Sequence, residues 1–183
     1  MVFPEISFFF CIFTALLLLT VPLPWVGAAV AAGAVHELSH MLAIWLLGGN
    51  ISRFTLGAGG ARLYMEDLTP KREILAAAAG PLGSFLLLLF IRVFPRISLC
   101  GLIHGLFNLL PIYPMDGGRI LYGILGLFLP EETVLKGLKL IKVLTLFGIS
   151  AVSVFLKQPW GLILVIFLIF PMIRSKIPCK ERP

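Results

Sequence analysis

Two histidines four residues apart in an apolar stretch are the side chains here best placed for chemistry. They are His36 and His40, in His36-Glu37-Leu38-Ser39-His40. On an α-helix, residues i and i+4 share one face about one turn apart, so both imidazoles can meet one metal ion. Zinc takes such nitrogens at about 2.0–2.1 Å, and a catalytic zinc leaves a position open for water. Glu37 adjoins the first histidine, where it can take a proton from that water. On a soluble surface the same five residues would read as an ordinary helix as readily as a site. Here Ala28 to Val35 precede them and Met41 to Leu47 follow, and neither flank carries a charge. An ionised side chain at the bilayer centre costs about 2.5–3.5 kcal/mol on insertion scales. Such a cluster calls for a partner, and a metal ion is the natural one.

A catalytic zinc usually takes three protein ligands. Within the apolar spans the acids are Glu37 and Asp116. With Glu37 serving as base, Asp116 is the carboxylate left for a His-His-carboxylate set. The competing reading makes Asp116 the N-cap of a helix beginning near Gly118. His104 and Asn108 form a second i, i+4 pair. His104 reads either as a packing residue or as a hydrogen-bond donor to a developing oxyanion.

These residues need helices to hold them. The chain has 183 residues, 59% hydrophobic and 13% charged, with a mean hydropathy of +1.03. Soluble domains carry about 25% charged residues. Several runs approach the roughly 20 apolar residues that cross a bilayer. The expected fold is an all-α polytopic membrane protein, a single domain over 1–183 with about six transmembrane helices. Ile6 to Val21 is the first span. A cleaved signal peptide is rejected there, because the first ten residues carry no Lys or Arg. Trp25 to Leu47 is the second, small-sided in its first half and ended by Gly48-Gly49-Asn50. Ile51 to Met65 changes period around Gly57-Ala58-Gly59-Gly60. It reads either as a connecting loop or as a small membrane-associated β-hairpin whose edge could hold a peptide strand. Ile74 to Phe94 is the third span. Its small residues Ala76, Gly80 and Ser84 recur at i, i+4 and are expected to pack on the second. Ile97 to Ile112 begins the fourth, broken by Pro111-Ile112-Tyr113-Pro114-Met115 and resuming over Ile120 to Leu129. Irregular backbone at membrane depth must be buried in protein or line a cavity, and an acid at such a break is how an ion site is built. Leu138 to Leu156 and Trp160 to Ile173 complete the set.

Charge placement sets orientation. Six spans put twelve of the 15 Lys and Arg residues on the side of both termini, leaving Arg92, Arg96 and Lys157 opposite. The positive-inside rule assigns that basic side, and both termini, to the cytosol. The net charge of +6 is therefore topological, with some pull toward anionic lipid, and does not imply nucleic acid. Cys11, Cys100 and Cys179 are scattered and read as free thiols.

His36-Glu37-Leu38-Ser39-His40 in one span, with Asn108-Leu-Leu-Pro111-Ile-Tyr-Pro-Met-Asp116-Gly117 in a later one, resembles the site-2 proteases, the intramembrane zinc metalloproteases. The resemblance covers Val26 to Leu129, with 1–25 and 130–183 as flanking helices and tail. The six-span plan is similar to the sporulation branch, which removes the pro-sequence of a membrane-tethered sigma factor. The resemblance implies His36, His40 and Asp116 on one Zn2+ per chain, Glu37 as catalytic base and Asn108 as a substrate or oxyanion contact. It implies a transmembrane or membrane-tethered substrate, candidate inhibitory membrane partners, and an active site toward the cytosolic side of a multi-pass cell-membrane protein. Two departures stand out. The family often ends an Ala-Gly-Pro-Leu-x-Asn motif where this chain has Ser84, which bears on a helix-packing or substrate hydrogen bond and not on the metal. Many sporulation-type members also carry a C-terminal nucleotide-sensing CBS domain. This chain ends at Pro183, so the expectation is regulation without one, or a shortened chain.

The expected reaction is peptide hydrolysis within or at the edge of the bilayer. The rival is a metal or proton transporter using His36, Glu37, His40 and Asp116 as its pathway. That reading predicts ionisable groups spread across depth and paired halves, whereas the sequence has one compact cluster and no repeat.

Overall fold

Leu23–Leu46 folds as helix α1, with Pro24 in its first turn, where a missing N–H costs nothing. Its buried residues are Ala28, Ala32, His36, His40 and Ile44, one every fourth position. They form a single stripe that is small, then imidazole, then aliphatic. The opposite face leaves Val30, Leu38, Leu42 and Trp45 exposed, as suits a helix bathed in lipid. The helix stops where Gly48 turns to φ 74° and the Gly49 N–H reaches back to the Ile44 carbonyl at 2.9 Å. Arg72 adds a hydrogen bond to the Leu47 carbonyl at 3.1 Å.

The chain is known here as a computed structural model that describes residues 5–6, 15, 18–57, 60–66 and 68–157. Strands β1 (Glu5–Ile6), β2 (Asn50–Gly57) and β3 (Gly60–Glu66) make one sheet in that order. β2 and β3 pair antiparallel, with an irregularity between Ile51 and Arg53, and β1 lies parallel to β2. The expected first span, Ile6 to Val21, falls mostly outside the described residues, and its first residue belongs to β1. The expected last span, Trp160 to Ile173, lies outside them altogether.

The remaining helices are α2 (Pro70–Leu86), extended by a 3-10 turn over Leu87–Phe90, α3 (Pro95–Asn108), α4 (Asp116–Gly126) and α5 (Glu131–Phe155). α2 opens four residues before the expected Ile74 and its regular part closes at Leu86. Pro81 sits within it without ending it. The buried face of α2 is Ala76, Ala77, Gly80, Pro81, Gly83 and Ser84. That small-residue face lies on α1, as its spacing predicts, and α3 closes the third side. Among the described residues, three segments are long and apolar enough to cross a membrane: Leu23–Leu46, Pro70–Phe90 and Glu131–Phe155.

α3 has 14 residues, about 21 Å at 1.5 Å per residue, against a hydrocarbon layer of about 30 Å. It ends at Asn108, earlier than the expected Ile112, and the chain resumes as helix at Asp116. The loop between is tied locally: the Ile112 N–H bonds to Leu110 and the Met115 N–H bonds to Ile112. Ile112 is fully buried, covered by Phe107, Leu110, Met115 and by Leu146 and Ile149 of α5. Gly117 and Gly118 allow the fold-back, because a Cβ on either would overlap the backbone of Leu109 or of Ile112 and Tyr113. The break in the helix is therefore built on a packed loop, with α5 as its outer wall.

Candidate metal centre and active site

Three elements converge where the α1 stripe turns from alanine to histidine. α1 supplies His36 and His40, buried to 2% and 4% exposure, and α4 supplies Asp116 at 6%. Asp116 occupies the first turn of α4, with Met115 as the N-cap and no side-chain capping bond at that end. The alternative that made Asp116 the cap of a helix near Gly118 is thus replaced: the helix begins two residues earlier, and the carboxylate points at the histidines. Asp116 Oδ2 lies 3.0 Å from His36 Nε2 and 3.1 Å from His40 Nε2, and the two Nε2 atoms are 3.2 Å apart.

The protons around this triangle are constrained. His40 Nδ1 donates to the Ala76 carbonyl at 2.7 Å, since a carbonyl can only accept. In a neutral His40, Nε2 is then a lone pair facing a carboxylate lone pair. His36 Nδ1 is held by Ser84 Oγ at 2.9 Å. A single proton on His36 Nε2 could serve only one of its two neighbours. Without a cation among its atoms, a proton or a metal ion, at least one edge of the triangle sets acceptor against acceptor. Ligand atoms around a tetrahedral ion at about 2.0–2.1 Å stand about 3.3–3.4 Å apart, and the observed edges are within a few tenths of that. Two imidazoles and a carboxylate, each imidazole anchored through its other nitrogen, is the donor set and tautomer control of a zinc site. His36, His40 and Asp116 thus fit a divalent metal. The far oxygen of Asp116, Oδ1, faces Arg119 Nη1 at 3.6 Å.

Glu37 is half-buried beside this triangle. One of its carboxylate oxygens, a ring nitrogen of His36 and a ring nitrogen of His104 all lie within 4.8 Å of one another. The His104 ring meets the His36 ring edge to face, with centroids 4.6 Å apart. Asn108 Nδ2 donates one hydrogen bond to the His104 carbonyl at 3.1 Å, back along its own helix.

Sequence reasoning missed the α2 partners. Ala76, Gly80 and Ser84 read as a packing stripe, and Ser84 as a departure from a family motif. In the structure, Ser84 orients one imidazole, the Ala76 carbonyl orients the other, and Gly80 admits the His40 ring. The signal was present: their i, i+4 spacing matches that of His36 and His40, so one small residue meets each turn of the metal helix. Outer partners of metal-bound histidines are worth about 10–100-fold in metal affinity. Ser84→Ala should weaken Zn2+ binding by about that factor, measured by competition with a chromophoric chelator.

Comparison with known proteins agrees with this geometry. No protein-family model matches the chain. It is 32% identical over 141 residues to a zinc metalloprotease of Methanocaldococcus jannaschii, a stretch covering 67% of this chain and 42% of that protein. It is 33% identical over 123 residues to a Synechocystis protein whose name assigns it provisionally to the zinc metalloproteases, covering 55% of this chain and 32% of that one. The chain therefore spans less than half the length of either curated relative. In three dimensions it matches the site-2 protease from Methanocaldococcus jannaschii with a TM-score of 0.73 at 23% identity, over 98% of this chain and 94% of that one. The fold is thus that of a site-2 protease, and the sequence relatives bear the name of zinc metalloproteases.

Proposed function

We propose that this chain is an intramembrane zinc metalloendopeptidase of the site-2 protease type, cleaving membrane-embedded or membrane-tethered proteins. The observation that carries the reading is the meeting of His36 Nε2, His40 Nε2 and Asp116 Oδ2 within 3.2 Å, beside Glu37. His36, His40 and Asp116 hold one Zn2+. Bound there, the ion supplies Lewis acidity toward a peptide carbonyl and makes an adjacent water acidic. Glu37 takes the proton of the attacking water and delivers it to the leaving amine. Its charge and that of Asp116 together offset the two charges of a divalent cation, and Arg119 adds a positive charge beside Asp116 Oδ1. The small-residue contact of α1 with α2 excludes bulk water from the imidazoles' far side.

The protein is multi-pass with about six spans, both termini are cytosolic, and water reaches the site from that side. The substrate is a single-span or tethered protein that unwinds to be cut, and a sporulation pro-sigma factor is one candidate. Transport is not favoured: the relatives are named as proteases, and the ionisable groups form one compact cluster instead of a path.

The test is cleavage of co-reconstituted tethered substrates in proteoliposomes by the unaltered chain and by Glu37→Gln. Loss of a positioned general base should slow cleavage by about 10²–10⁴-fold while bound zinc, measured by elemental analysis, stays the same. Cleavage undiminished in Glu37→Gln would remove the protease reading. Zinc flux into the vesicles that the same change abolishes would install the transporter in its place.

A further inference from the structure

His104 contributes a buried ring nitrogen, Nε2, that has no hydrogen-bond partner. A buried polar atom without a partner is uncommon and costly, and it marks a place where something polar binds. This atom belongs to a ring packed edge to face on His36. The same ring brings one of its nitrogens within 4.8 Å of a ring nitrogen of His36 and a carboxylate oxygen of Glu37. A single oxygen atom hydrogen-bonded at about 2.8 Å to two partners bridges a gap of that size at a near-tetrahedral angle. Glu37 and His104, with ligand atoms no more than 4.8 Å apart, are therefore within reach of one bridging oxygen.

We infer that His104 is a further catalytic residue, which together with Glu37 holds the nucleophilic water. This rests on the protease reading above. In the Nδ1–H tautomer, Nε2 accepts one O–H of the water while the Glu37 carboxylate accepts the other. Both protons are then directed away from the substrate, and an oxygen lone pair is left aimed at the carbonyl. Attack forms the C–O bond as the O–H toward Glu37 breaks. The proton moves to the carboxylate and then to the leaving amine, while the bond to His104 remains intact. A second cation between Glu37 and His104 is the competing occupant. It would leave two bound divalent ions facing only Glu37 and Asp116, a net positive charge in a buried site, so the observations favour water.

The experiment compares His104→Phe, His104→Gln and His104→Ala with the unaltered chain. It uses proteoliposomes and a fluorescence-quenched single-span peptide already shown to be cut by the unaltered chain. Phe keeps the ring against His36 but accepts no hydrogen bond; Gln places a carbonyl oxygen near the position of Nε2. The expected result for His104→Phe is a kcat about 10–100-fold lower, KM within about twofold of the unaltered value, and one zinc per chain retained. His104→Gln should recover most of the lost kcat, and His104→Ala should match Phe. Full kcat in His104→Phe would reduce His104 to a packing residue and overturn the inference. So would zinc content falling from two per chain to one, which would identify a second cation subsite, or loss of the sole zinc. Should Glu37→Gln cleave normally in the same vesicles, the protease reading itself has failed, a result distinguishable from any behaviour of His104.

Discussion

Gly80→Ala is expected to empty the metal centre with a single methyl group. A Cβ on Gly80 would overlap His40 Nε2 and lie 2.7 Å from His40 Cδ2. The ring cannot swing aside cheaply, because its Nδ1 is bonded to the Ala76 carbonyl one turn earlier on the same helix. The remaining relief is for α2 to move off α1. That motion also pulls Ser84, one turn later, from His36 Nδ1. One methyl therefore disturbs both imidazoles. Overpacking of this kind costs about 1–3 kcal/mol, and the metal's contribution to stability is lost in addition. Zinc content should fall below about a tenth of that of the unaltered protein, given two outer-shell losses of about 10–100-fold each. Gly27 and Gly33 provide the control, because a Cβ at either meets nothing within 4 Å. Alanine there should leave zinc content unchanged and stabilise the helix by up to about 1 kcal/mol. Normal zinc binding by Gly80→Ala would mean that α1 and α2 do not approach as closely as described.

How much of this site a sequence can disclose depends on where its contacts come from. His36, Glu37 and His40 are legible because helical periodicity alone brings them together. Asp116 is legible because the apolar spans leave few acids to choose from. The broken helix is readable from Pro111 and Pro114, but its bounds are not. α3 stops at Asn108 and α4 starts at Asp116 because Ile112 finds a pocket against Leu146 and Ile149, contacts some thirty residues away in the chain. Ser84 shows the limit most clearly. Against a family pattern it looks like a substitution away from function; against α1 it is the hydrogen-bond partner of a candidate ligand. Its role depends on the rotation of α2 about its own axis, which no local pattern specifies. His104 is ambiguous for the same reason, since a histidine on an apolar helix reads alike whether its ring nitrogen is satisfied or waiting for a partner.

Asp116→Asn should invert the effect of zinc on stability. In the unaltered chain Oδ2 faces two imidazole nitrogens at 3.0 and 3.1 Å, and at least one of those contacts sets acceptor against acceptor unless a cation intervenes. The metal-free protein therefore holds either a trapped proton or a repulsion. Asparagine has the same shape, and its Nδ2–H can donate to the His40 Nε2 lone pair. The metal-free variant should melt at or above the temperature of the metal-free unaltered chain. With zinc the order reverses. The unaltered chain gains RT ln(1 + [L]/Kd), about 2.7 kcal/mol at a hundredfold excess over Kd. The variant has lost an anionic ligand, a larger change than the roughly 10–100-fold cost of an outer-shell substitution, and gains little. Thermal unfolding in detergent, with and without chelator, measures all four states. A zinc-dependent rise in Tm as large in Asp116→Asn as in the unaltered chain would show that Asp116 is not a ligand, and would leave the two histidines without their third partner.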